Sequence, residues 1–209
     1  MPWPTTPRDC SVACGPAHDR GAIVTLDRPP SELDGVRYGA IERHADDRGA
    51  FRELWRATAF PERRFVQANL STSAGGVLRG LHVHRRQDDL WIVSAGRAFV
   101  ALVDIRAMLD ATAPSPLVET RELAPDDWVV IPSGVAHGFL AIEALDLVYF
   151  VTNEYDGSDE LGFAWDDPAA AVPWPALEGI PDGRPILSDR DSRNPSLADL
   201  LVRLRSTPV

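Results

Sequence analysis

Two histidines that share a strand face are the first residues in this chain with clear chemical potential. They end the stretch Gly76-Val77-Leu78-Arg79-Gly80-Leu81-His82-Val83-His84, and strand side chains two apart point the same way. Carboxylates follow at Asp88 and Asp89, and then an apolar run, Leu90-Trp91-Ile92-Val93, that closes at Ser94-Ala95-Gly96. Downstream, Pro132-Ser133-Gly134-Val135-Ala136-His137-Gly138 adds a tight turn and a third histidine. Imidazole serves as a general base near neutral pH and, equally, as a metal ligand. His82, His84, Asp89 and His137 therefore allow two chemistries. One is proton transfer; the other is a divalent ion such as Fe(II), Mn(II) or Ni(II) with coordination positions left open.

These residues need strands to hold them. From Val36 onward the chain consists of short apolar runs cut by turn residues such as Asp47-Arg48-Gly49 and Asp156-Gly157. The spacing predicts strands over 36–43, 50–56, 64–70, 76–84, 90–94, 97–104, 117–123, 127–131, 138–142, 145–152 and 160–165. Many short strands separated by turns imply an all-β sandwich or barrel. Arg97-Ala98-Phe99-Val100-Ala101-Leu102-Val103-Asp104 is apolar on both parities, so burial on both faces is expected. One helix is predicted over 197–205, where Leu197, Leu200, Leu201 and Leu204 recur at helical spacing behind Ser196 as N-cap. The first 35 residues, rich in Pro, Arg, Asp and Thr, read as an extended arm with one short strand near 22–26. Residues 36–209 read as a single domain.

Composition narrows the functions. With 209 residues, 44% of them hydrophobic and 25% charged, the chain can bury a core without staples. The net charge of −10 argues against a nucleic-acid binder, which needs a basic face. It does not exclude a nucleotide, because a few arginines can hold one diphosphate. The chain has no lysine, so chemistry that needs an amine side chain is excluded. Cys10 and Cys14 stand alone in the arm and lack the second pair that a zinc site usually needs. No apolar run approaches a membrane span, and the cytoplasm is the expected compartment.

The histidine segments resemble the two-part signature of the cupin barrel. Its first half runs glycine, five residues, His-x-His, an acid and then glycine; its second is Pro-x-Gly-x-x-His. The usual Glu of the first half is Asp89 here. The fold implied is a cupin jelly-roll β-barrel with a short C-terminal helix and an extended N-terminal arm.

Longer matches resemble one family within that group. Asp47-Arg48-Gly49-Ala50-Phe51-Arg52-Glu53, Phe65-Val66-Gln67-Ala68-Asn69, Val77-Leu78-Arg79-Gly80-Leu81-His82 and Val103-Asp104-Ile105-Arg106 are similar to the dTDP-4-dehydrorhamnose 3,5-epimerases. So are Ala136-His137-Gly138-Phe139-Leu140, Trp165-Asp166-Asp167-Pro168 and Leu187-Ser188-Asp189-Arg190-Asp191, in the same order. The resemblance implies an isomerase that needs no cofactor, acts as a homodimer, and epimerises C3, C5 or both of a dTDP-4-keto-6-deoxyhexose. Such a reaction removes a proton beside a ketone, passes through an enolate, and returns a proton to the opposite face.

By residue, the resemblance makes His82 the base, Asp191 the carboxylate that fixes its tautomer, and Tyr149 the acid. Arg48, Glu53, Gln67, Asn69, Arg79, His137, Glu160 and Arg190 match substrate-binding positions, and Tyr155 matches a ring stacked on the thymine. Tyr149 and Tyr155 share a face if one continuous strand carries both. Gln67 and Asn69 share parity, whereas Arg79 and His82 do not. Both can face one pocket only if the strand bends or bulges near Gly80. Each role has a structural rival: Tyr149 as plain core, Asp191 as a turn cap, Arg48 and Glu53 as a surface ion pair.

The family's usual lysine, in a Gln-x-Lys setting, is replaced by an anion in Gln87-Asp88-Asp89-Leu90, and the loop is shorter. Asp89 is then expected as a loop carboxylate near the sugar, with Arg79 and His137 as donors to the enolate and Arg85 or Arg86 as substitute cations. Two alternatives remain: a metal-dependent cupin enzyme using His82, His84, Asp89 and His137, and a cupin that binds a sugar nucleotide without turning it over.

Overall fold

The alternating apolar pattern folds into two facing antiparallel sheets. The computed structural model describes residues 24–25, 28–176 and 183–206; Cys10, Cys14 and most of the arm lie outside them. The first strands are β1 (Val24–Thr25), β2 (Arg37–Ile41), β3 (Arg43–Asp46), β4 (Gly49–Arg52) and β5 (Gln67–Ser73). Next come β6 (Leu78–Val83), β7 (Asp89–Ala95), β8 (Ala98–Asp104) and the one-turn helix α1 (Arg106–Leu109). Then follow β9 (Leu117–Leu123), β10 (Asp127–Ile131), β11 (Val135–Ala141), β12 (Leu145–Val151), β13 (Leu161–Gly162) and the helix α2 (Leu197–Ser206).

One sheet runs β1-β2-β10-β7-β12-β5 and the other β13-β6-β11-β8-β9, with β3 and β4 forming a separate hairpin. This is the expected jelly roll. The expected strand near residue 24 is β1, which pairs with β2.

Three apolar layers explain why several strands read as continuously hydrophobic. Between the sheets, Trp91 and Val93 of β7, Val129 and Ile131 of β10, and Leu145 and Leu147 of β12 meet Val100 and Leu102 of β8. The opposite parity of β8, Ala101 and Val103, packs outward with Leu81, Val83 and Phe163 under Leu197, Leu200, Leu201 and Leu204 of α2. On the other outer face, Leu90, Ile92, Trp128 and Val130 lie beneath Phe60 and Phe65. Each fully buried leucine of α2 contributes roughly 1.5–3 kcal/mol, so the helix is held by packing far more than by its own propensity. Ser196 caps it, its Oγ accepting from the Asp199 N–H at 3.1 Å and donating to the Asp199 carboxylate at 2.7 Å.

The β3–β4 hairpin is the exception to burial: every residue of β3 is exposed, and Phe51 is 67% accessible. Among the described residues, no helix is long and apolar enough to cross a membrane.

Candidate active site

An open cavity of about 490 Å³ lies in the barrel mouth between the two sheets. Strand parity determines which side chains enter it. On β12, Leu145, Leu147 and Tyr149 point inward, while Val148 and Phe150 pack on the outer face. On β5, Gln67 and Asn69 share the inward parity, and Gln67 Nε2 donates to Asn69 Oδ1 at 2.9 Å.

On β6 the parity changes. Leu81 and Val83 face outward, so His82 faces in, yet Arg79 also lines the cavity. The change falls at Gly80, whose φ is +125°, and the pairing of β6 with β11 shifts register between His137 and Phe139. A side chain at Gly80 would place its Cβ 2.6 Å from Gly138 Cα. Glycine is thus required on steric and conformational grounds. The slip brings Arg79, His82 and the paired His137 to one wall.

His82 Nε2 lies 2.7 Å from Asp191 Oδ1. Burial pushes the Asp191 carboxyl up, but hydrogen bonding and charge from His82, with help from Ser188 and the Gly80 N–H, outweigh that and hold it below the usual carboxylate range. An ionised Asp191 can only accept, so Nε2 carries the proton and the Nδ1 lone pair is the free basic atom. Asp191 also opens a 3₁₀ turn, Asp191–Arg193, and its backbone N–H donates to Ser188 Oγ at 3.0 Å. Ser188 thus supplies the oxygen that receives the first N–H of the turn, and the Asp191 carboxylate is left to orient the histidine.

Tyr149 enters from the opposite sheet. Burial raises its hydroxyl pKa, reinforced by Asp89 and partly offset by Arg79. The phenol stays protonated at neutral pH and can act as an acid. Arg79 is anchored through Nε to Ser73 Oγ at 3.1 Å and through Nη2 to the Thr72 carbonyl at 3.4 Å.

Tyr155 is not on the strand that carries Tyr149, because β12 ends at Val151. A loop instead brings Tyr155 to the cavity rim, 68% exposed. Its N–H donates to Gln67 Oε1 at 2.9 Å, and its hydroxyl to Glu160 Oε2 at 2.9 Å. Glu160 also pairs with Arg190. Burial raises the Glu160 carboxyl, but Arg190 and Tyr155 lower it further, to below its ordinary value. Asp159, which sequence reasoning missed, fixes this loop: its carboxylate accepts from the Arg85 and Arg86 N–H groups at 2.8 and 2.9 Å. Its only sequence signal is its place beside Glu160.

Four expectations change. Arg48 and Glu53 lie away from the cavity, where Arg48 pairs with Asp46 and Glu53 with Arg56 rather than with each other. Asp89 opens β7, 3% exposed, instead of sitting in a loop; it accepts from Gln87 Nε2 at 2.8 Å and Trp91 Nε1 at 3.1 Å. His137 is no oxyanion donor. Its Nδ1–H goes to the Val135 carbonyl at 3.0 Å, and burial, opposed by Asp89, pushes its pKa down to about 4. The neutral ring therefore presents only the Nε2 lone pair. Finally, the four-residue metal set divides. His82 is turned to Asp191, while His84, Asp89 and His137 cluster by themselves. Of the two arginines considered as substitute cations, Arg85 reaches the Leu204 carbonyl, whereas Arg86 lines the cavity and donates to the Ser158 hydroxyl at 3.1 Å.

Residues 30–199 match the dTDP-4-dehydrorhamnose 3,5-epimerase family. The spore coat polysaccharide biosynthesis protein SpsL of Bacillus subtilis (strain 168) is 37% identical over 146 residues, covering 68% of this chain and 96% of that protein. The dTDP-4-dehydrorhamnose 3,5-epimerase of Escherichia coli (strain K12) is 36% identical over 185 residues, covering 84% and 96%. Among solved structures, the dTDP-6-deoxy-D-glucose-3,5-epimerase of Legionella pneumophila Philadelphia 1, in complex with dTDP-4-keto-L-rhamnose, superposes with a TM-score of 0.69. It is 31% identical, and the match covers 81% of this chain and 91% of that one.

Proposed function

Since this chain belongs to the dTDP-4-dehydrorhamnose 3,5-epimerase family, we propose that its cavity takes a dTDP-4-keto-6-deoxyhexose and inverts C3, C5 or both through an enolate. The protein is an isomerase of deoxysugar biosynthesis. His82 Nδ1 removes the proton, and Asp191, 2.7 Å from Nε2, stabilises the imidazolium that results. Tyr149, from the opposite sheet, returns a proton to the other face of the sugar. Arg79 supplies positive charge to the enolate oxygen. Gln67 and Asn69 hold the nucleotide and Tyr155 stacks on the thymine, while Glu160 and Arg190 fix that wall. His137 accepts a hydrogen bond from the sugar side.

Arg48 and Glu53 are assigned to the neighbouring protomer's site. They flank or lie on the exposed β3–β4 hairpin, away from their own cavity. In a homodimer such a hairpin can complete the partner's pocket. The enzyme is assigned to the cytoplasm, where sugar nucleotides are made, with no nucleic-acid or membrane partner.

The observation that most supports this reading is a histidine–carboxylate pair and a protonated tyrosine lining one cavity from opposite sheets. Two-sided proton transfer at carbon needs that arrangement; a passive binder does not. The test is incubation of dTDP-4-keto-6-deoxyglucose with the protein in D₂O. NMR should show deuterium at the carbon that inverts. Binding of dTDP with no exchange at any carbon would make the protein a non-catalytic binder.

A further inference from the structure

From the polarity of one corner of the cavity we infer that the hexose it takes carries a protonated amine. The substrate class is then a 4-keto-6-deoxyhexose with an amino group in place of one ring hydroxyl, and His84, Asp89 and His137 receive the ammonium. The inference rests on the reading of the cavity as a sugar-nucleotide site and adds the group that the sugar presents there.

All three side chains line the cavity, and all three offer only acceptors to it. His137 Nδ1 lies 3.0 Å from the Val135 carbonyl, and His84 Nδ1 lies 2.6 Å from the Asp159 carbonyl. A carbonyl only accepts, so both Nδ1 atoms carry protons and each neutral ring keeps its free lone pair on Nε2. Asp89 accepts from Gln87 Nε2 on one oxygen and from Trp91 Nε1 on the other, which leaves further lone pairs on both. Among the described residues neither Nε2 receives a hydrogen bond, and Asp89 pairs with no arginine.

The group that fits this corner must donate in three directions. A carbonyl or enolate oxygen is repelled there, which leaves that oxygen to Arg79. A hydroxyl has one proton and would turn its own lone pairs toward the remaining acceptors. An ammonium has three N–H donors and a positive charge. Acceptors about 2.8 Å from a tetrahedral ammonium nitrogen stand about 4.6 Å apart. Here one nitrogen from each ring and one carboxylate oxygen lie within 4.8 Å of one another, with His137 Nε2 3.8 Å from Asp89 Oδ2, so a single nitrogen can reach all three. Asp89 is 3% exposed, and a carboxylate that buried is costly without a cation. The chain has no lysine to supply an ammonium there, and one on the ligand offsets the cost.

The test is calorimetry of the full chain, at neutral pH, with ligands that lack the 4-keto group and cannot react. These are dTDP-6-deoxyglucose and its 2-amino-2-deoxy and 3-amino-3-deoxy counterparts. One of the two amino ligands should bind about tenfold or more tightly than the hydroxyl ligand. Its N-acetyl derivative, which keeps one N–H and loses the charge, should not. Asp89→Asn is close in shape to the parent and should cut the preference to within about threefold. His84→Gln, at a less buried position, should also reduce it and serves if the first variant does not fold. Affinity for dTDP, which has no sugar, separates this inference from the reading beneath it. A chain that binds dTDP but prefers neither amino ligand would overturn the inference and leave the sugar-nucleotide site standing. A preference undiminished in both variants would overturn it as well, and failure to bind dTDP would remove the site on which it rests.

Discussion

Replacing Asp191 with Asn isolates the carboxylate that makes His82 a base. The side chain is 5% exposed and its Oδ1 is 2.7 Å from His82 Nε2. When His82 takes a proton, the imidazolium and this carboxylate are opposite charges with centres about 4 Å apart, worth about 4 kcal/mol at an effective dielectric constant near 20. At about 1.4 kcal/mol per tenfold, removal costs up to about a thousandfold in kcat. Part is recovered when the amide accepts the same N–H, so a loss of about 10²–10³-fold is expected. The KM should change by less than about threefold, because the interaction strengthens only as charge develops. Deuterium wash-in from D₂O, followed by NMR, reads the proton-abstraction step directly.

The same substitution has a pH signature. A carboxyl held below its ordinary value of 3.8 contributes stability at higher pH and loses it as pH falls through the folded value. The gap in Tm between parent and Asp191→Asn should therefore be full at neutral pH and close below about pH 4. A folded Asp191→Asn enzyme within a few-fold of the parent in exchange rate would refute the coupling of the two residues.

Three further outcomes follow from the geometry. Tyr149→Phe keeps the ring in its half-buried slot; it should still wash deuterium into recovered substrate while forming little inverted product, and equal loss of both signals would remove Tyr149 as the opposite-face acid. Dimers of His82→Asn mixed with dimers of Arg48→Ala/Glu53→Ala should recover about a quarter of parental activity after subunit exchange, since half the dimers then hold one intact site; no recovery would detach the hairpin from the partner's pocket. Gly80→Ala should destabilise the fold by about 2–3 kcal/mol in denaturant unfolding, from strain at φ +125° and contact with Gly138.

The barrel was legible because burial on two sides leaves a plain mark on sequence. β8 is apolar on both parities because Val100 and Leu102 fill the barrel while Ala101 and Val103 lie under α2. The odd spacing of Arg79 and His82 indicated a bulge at Gly80, and the register shift lies there. Features that depend on one proton or on tertiary placement were not legible. Whether His137 donates or accepts depends on the Val135 carbonyl meeting Nδ1, which no spacing encodes. Asp89 looks like a loop acid until the Trp91 and Gln87 donors are seen to draw it into the strand. Tyr155 shares parity with Tyr149, but the strand stops between them. The hairpin residues Arg48 and Glu53 carry a family pattern whose meaning lies outside the single chain.

The most direct test of the account is deuterium exchange by His82→Asn. The amide cannot act as a base but fills most of the imidazole's space, so Gln67, Asn69 and Tyr155 should bind dTDP with parental affinity by calorimetry. Exchange at C3 and C5 of dTDP-4-keto-6-deoxyglucose should fall to the uncatalysed rate. Exchange persisting at a substantial fraction of the parental rate, in a variant that binds dTDP normally, would contradict the assignment of His82 as the group that takes the proton.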